Sequence, residues 1–160
     1  MIVFLLALFG VCFLQTTVVP RLAIGGIQPD LFLVLIFGVG LAVRPELSTI
    51  VGLLVGLCQD SLSGAPLGLN AFTLSVIGFL VSLMTRQVKT ADLTGRFALL
   101  LVAGLVSGLT TILVLRFFQL PRPFVPALLW TVLPGALYTA ALGTGVLAMP
   151  KLKAIRGFDR

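Results

Sequence analysis

PDLFLVLIFGVGLAVRPELSTIVGLLVGLCQDSLSGAPLGLN, residues 29–70, is the stretch whose reading decides the fold. It consists of two apolar runs that fold back on each other at Arg44-Pro45-Glu46, with a carboxylate at each outer end, Asp30 and Asp60. Each run, 30–43 and 46–59, has roughly 14 residues, or about 21 Å of helix at 1.5 Å per residue. A perpendicular bilayer crossing takes about 20 residues. One continuous helix over 30–60 would be long enough, but two charges and a proline would then sit at mid-bilayer. The stretch therefore reads as two short spans, which survive where protein surrounds them or the bilayer thins. A polar, glycine-rich segment from Ser61 to Gly68 follows them.

Composition fixes the solvent. The 160 residues are 59% hydrophobic and 10% charged, with a mean hydropathy of +1.20. A soluble domain carries roughly 25% charged residues, so this chain cannot present a wettable surface and the bilayer takes the place of water. The net charge of +6 then reflects loops on the cytoplasmic side, and a nucleic-acid partner is not expected. The first ten residues, MIVFLLALFG, lack a basic leader and a small-residue cleavage site, and read as a retained helix. Cys12 and Cys58 lie in apolar runs and read as free thiols.

Outward from the central stretch, the chain reads as one polytopic membrane domain over 1–160, all-α, with about six transmembrane helices. The spans fall at about 2–19, 30–43, 46–59, 69–84, 96–118 and 124–149, and a basic tail occupies 150–160. Pro134-Gly135 should break the last span. Arg21 to Gln28 is too short and glycine-broken to cross. Six spans put both termini on one side, with Arg44, Arg86, Lys89, Arg96, Lys151, Lys153, Arg156 and Arg160; Arg21, Arg116 and Arg122 lie opposite. Eight basic residues against three place both termini in the cytoplasm. Asp30 and the Asp60 segment then face the outer side.

The two carboxylates are electrostatically different. Pro29-Asp30 opens a helix, where free N–H groups and the dipole favour an acid. Asp60 falls where a helix ends, and the dipole there disfavours it. It needs a counter-ion, for which Arg21 and Arg122 are the same-side candidates, or a helix that restarts at Ser61, or a neutral carboxyl. The two acids either cap a helix and pin a turn, or line an outward-facing pocket or docking surface. Catalysis is not expected: there is no histidine, hydrolase elbow, phosphate loop or metal-ligand cluster, and no cofactor is implied. Glycine pairs four residues apart occur at Gly52/Gly56, Gly64/Gly68 and Gly104/Gly108. With 17 glycines in 160 positions about two such pairs arise by chance, so helix packing through them is best supported at Gly52/Gly56, on a short span.

The Pro29-Asp30-Leu31 opening, and the run Gly56-Leu-Cys-Gln-Asp60-Ser-Leu-Ser63-Gly64-Ala-Pro66-Leu67-Gly68-Leu69-Asn70-Ala71, resemble the bacterial rod shape-determining MreD family. The motif-bearing match covers about 28–75. The resemblance carries over Pro29, Asp30, Asp60, Ser63, Gly64, Pro66 and Gly68 as motif residues, without individual roles. It implies a non-catalytic component of the cell-elongation machinery in the bacterial inner membrane. Such a component binds the single-span protein MreC directly and acts indirectly with MreB and peptidoglycan synthase partners. Membrane lipid surrounds it, and a homodimer is compatible with it. The resemblance also implies a fold like that of the substrate-binding S-components of energy-coupling-factor transporters. The alternative function is accordingly a small-molecule-binding transport subunit. Against it, Ala7 is followed four residues on by Val11, so the first span lacks the small-residue pair by which S-components meet their partner.

Overall fold

The computed structural model describes residues 2–23, 27–63, 66–87, 93–117 and 128–148. These residues are helical: α1 (Ile2–Thr17), a 3-10 turn (Val19–Leu22), α2 (Leu31–Ala42), α3 (Pro45–Ser63), α4 (Leu69–Gln87), α5 (Leu93–Phe117), a π-helical turn (Leu128–Val132) and α6 (Leu133–Ala148). The π turn runs directly into α6.

α2 is the central post. Its sequence, LFLVLIFGVGLA, is apolar on every face, the pattern of a helix with no solvent side. Phe32, Leu33, Ile36 and Phe37 are buried, and α2 touches each of the other five helices. Leu74, Ile77 and Val81 of α4, Leu100 and Ala103 of α5 and Ala140 of α6 complete the core around it. α1 packs on this core through Phe4, Leu8, Val11 and Cys12 and turns Leu6, Phe9 and Phe13 outward.

α3 and α4 form an antiparallel hairpin with small residues inside and large ones outside. Ser48, Gly52, Gly56 and Asp60, spaced every four residues, are all buried. Ile50, Leu53, Leu54 and Leu57 are exposed. A water-soluble helix reverses this arrangement; small residues inward and leucines outward is how helices pack in lipid. A Cβ on Gly52 would lie 2.8 Å from the Leu74 carbonyl carbon and 2.9 Å from Ser75 Cα, and one on Gly56 would run into the backbone of Asn70 and Ala71. The two backbones are thus in direct contact along two turns.

Three expectations are corrected. The third span is not short: α3 has 19 residues, about 28 Å at 1.5 Å per residue. It continues through Ser61-Leu62-Ser63, because the acid at position 60 is satisfied from another helix. Pro134-Gly135 does not break the last span. The irregularity lies just before it, in the π turn, which runs directly into α6, so Pro134, lacking an N–H, leaves a carbonyl of that turn without its helix bond. The polar segment at 93–95 belongs to α5, which begins three residues earlier than the reading from residue 96. The turn at Arg44-Pro45 is as read: α2 ends at Ala42 and Pro45 opens α3. Ser82 of α4 donates to the Val43 carbonyl at 2.7 Å, tying that turn to the hairpin.

Candidate functional site

One end of the bundle gathers the polar chemistry. It holds the end of α1, the start of α2, the end of α3 and the start of α4.

Gly68 precedes α4 with a φ of +99°, a conformation that glycine adopts without steric cost. It has no side chain with which to cap the helix it opens. Asp60 supplies the cap from α3: it accepts from Gly68 N at 2.8 Å, Asn70 N at 3.0 Å and Ala71 N at 3.3 Å. These are amides that a helix start leaves without intrahelical acceptors. The carboxylate is 1% exposed. Hydrogen bonds to a charged group are worth about 1.5–3 kcal/mol each, whereas a terminal dipole contributes about 0.3–1 kcal/mol. The three amides therefore outweigh the unfavourable end of α3. They supply the compensation sought in Arg21 or Arg122. Arg21 is exposed on the 3-10 turn, and Arg122 lies outside the described residues.

Asp30 caps α2 from its own chain, as its position predicts. Its Oδ1 accepts from Phe32 N at 3.0 Å and Leu33 N at 3.1 Å, and Oδ2 accepts from Gln59 Nε2 at 3.0 Å. Side chains from other helices complete the cap. Asp30 N donates to Thr139 Oγ1 at 3.0 Å, Leu31 N to Gln15 Oε1 at 3.0 Å, and Gln15 Nε2 to the Pro29 carbonyl at 3.2 Å. Four helices thereby meet at the start of α2. A helix that begins away from bulk water must find such partners within the protein.

α2 is the shortest α-helix among the described residues. Its 12 residues rise about 18 Å, against about 37 Å for the 25 residues of α5. A partly open cleft of about 230 Å³ lies beside it, between α5 and α6; Asp30, Ser107, Thr111, Thr131, Gly135 and Thr139 are among its lining residues. Below and beside the cleft, α5 and α6 close on each other. A Cβ on Gly104 would stand 3.0 Å from Ala136 Cβ, and one on Gly108 would meet the Val132 side chain.

The motif residues thus divide. Pro29 and Asp30 belong to the α2 cap, and Asp30 alone of the two acids reaches the cleft. Asp60, Pro66 and Gly68 build the α3–α4 connection, where the Pro66 carbonyl accepts from Leu69 N at 3.2 Å. Ser63 is exposed at the end of α3. Gly64 lies outside the described residues. Gly52 and Gly56 hold the hairpin together. The sequence reading missed Gln15, Gln59 and Thr139. An amide in an otherwise apolar span was the available signal for the two glutamines; nothing distinguishes Thr139 from the other threonines. It also gave Gly104/Gly108 little weight, although their spacing was in plain view. Among the described residues no cluster of three metal-ligating side chains occurs.

These features define a helical membrane protein whose polar groups mostly hold helices in register. Among the described residues, two helical segments, Leu93–Leu113 and Leu129–Val146, are long and apolar enough to cross a bilayer. The chain belongs to the rod shape-determining protein MreD family, whose model matches residues 1–149. Membership assigns it to the membrane components of rod-shape determination. Neither a curated protein nor a solved structure matches the chain.

Proposed function

We propose that the chain is a non-catalytic, multi-pass scaffold of the bacterial inner membrane, with both termini cytoplasmic, that binds the single-span protein MreC. Through it the chain supports peptidoglycan synthesis organised with MreB. Family membership supports the rod-shape role. One observation supports a partner surface: Leu62, in the last turn of α3, is 50% exposed, and Leu67, just before α4, 78% exposed. Asp60 fixes the turn beneath them. Exposed leucines on a firmly held connection at the bundle end suit a partner segment that emerges from the membrane. Ile50, Leu54 and Leu57 of α3, exposed at helical spacing, continue this surface into the bilayer and offer a helix-sized stripe. Gly52, Gly56 and Asp60 act indirectly, because their contacts lie inside the hairpin.

The test is co-purification of MreC with a Leu62→Asp/Leu67→Asp double variant. The expected result is at least about a tenfold loss of recovered partner, equivalent to about 1.4 kcal/mol, with normal membrane insertion and rounding of rod-shaped cells. Full recovery of MreC by a stably inserted double variant would remove this connection from the interface.

A further inference from the structure

We propose that the cleft beside the start of α2 binds a primary ammonium group, carried on a lipid headgroup or on a small free amine, with Asp30 as its counter-ion. The volume, about 230 Å³, is that of roughly eight waters at about 30 Å³ each, enough for a small headgroup. Its wall is rich in acceptors. The Thr111 hydroxyl donates to the Ser107 carbonyl at 3.0 Å and that of Thr139 to the Gly135 carbonyl at 2.8 Å. Thr139 Oγ1 also accepts from Asp30 N, so each hydroxyl keeps at least one lone pair for the cleft and no proton. The Asp30 carboxylate has about four acceptor sites; two amides and Gln59 occupy three of them. All three partners are neutral, so the carboxylate, when ionised, has no charged partner among them. Among the described lining residues there is no cation. An ammonium brings three donors and one positive charge, the complement of this wall.

Gly135 supports the same reading. A Cβ there would make only ordinary contact, 3.7 Å from Ile27 Cγ2, so no neighbouring helix requires glycine at this position. Its missing side chain leaves the cleft open.

The test uses native mass spectrometry of the full chain in detergent, with phosphatidylethanolamine, phosphatidylcholine or ethanolamine added. Ethanolamine lipid should be retained at least about tenfold better than choline lipid, whose headgroup is cationic but has no N–H donor. Asp30→Asn keeps an oxygen for the α2 cap, and Gln59 can turn its carbonyl toward the new amide; retention of the ethanolamine lipid should fall to the choline level. Gly135→Leu fills the cleft from α6 and leaves the three bonds of the Asp30 carboxylate in place, and should have the same effect. If Asp30→Asn does not fold, Gly135→Leu decides alone. Competition by free ethanolamine would point to a soluble amine, and its failure to compete to the lipid-borne group. Equal retention of the two lipids, or undiminished retention by folded variants, would overturn the proposal.

Discussion

Without the Asp60 carboxylate, three amide donors at the start of α4 would lie against α3 with no acceptor. Asp60→Ala should therefore destabilise the fold by about 3 kcal/mol, within the range for removing one partner of a buried charged group. Asp60→Asn retains one oxygen but presents an NH₂ group to an amide donor, and should lie between the alanine variant and the unmodified protein. Unfolding of the purified variants in one detergent measures both. An alanine variant as stable as the parent would mean that these amides need no acceptor from α3. The role of Asp30 was legible in the sequence because proline and aspartate before an apolar run describe a cap within one segment. The partner of Asp60 was not legible. The sequence displays arginines as letters, whereas backbone amides eight to eleven residues away have no letter of their own. Reasoning from charge alone therefore looked to Arg21 and Arg122.

Between elements, the discriminating quantity is the space facing each glycine. Gly56→Ala would force a methyl into the backbone of Ala71, and neither backbone can yield without separating α3 from α4. The expected cost is about 1–3 kcal/mol, the usual range for overpacking. Gly135→Ala meets only Ile27, at 3.7 Å, and should be neutral or stabilising by up to about 1 kcal/mol through helix propensity. The same substitution in the same bundle is thus expected to act in opposite directions, which one thermal-unfolding series can check. Equal effects at the two positions would show that the α3–α4 contact is not what requires glycine at position 56. Spacing alone carried little information, because chance produces about as many pairs, yet Gly52/Gly56 and Gly104/Gly108 both prove to face close neighbours. Helix existence was legible from apolar runs and from the proline at position 45. The length of α3 was not: Gln59-Asp60-Ser61 reads as a polar exit until α4 is seen to cover it.

For the whole molecule, the placement of leucines outside and glycines inside α3 means that the surrounding medium is apolar. The 19 residues of α3, about 28 Å of helix, come close to the length of a crossing, and its ends carry the exposed Glu46 and Leu62. On the proposed topology Glu46 lies with the cytoplasmic loops and Leu62 outside. Single cysteines at these positions, in a background with Cys12 and Cys58 replaced by alanine, test this along one helix. In intact spheroplasts a membrane-impermeant maleimide should label Leu62→Cys, and should label Glu46→Cys only after permeabilisation. A reporter fused after Arg160 and active only outside the cytoplasm should be silent. The two assays read different ends of the chain and must agree, since the number of crossings between Leu62 and Arg160 links them. Outside labelling of Glu46→Cys with an active fused reporter would invert the whole molecule and put the Asp30 cleft on the cytoplasmic face. Outside labelling of Leu62→Cys with an active reporter would instead mean an even number of crossings after α3. With α4 and α5 crossing, the π turn and α6 would then fail to complete a third.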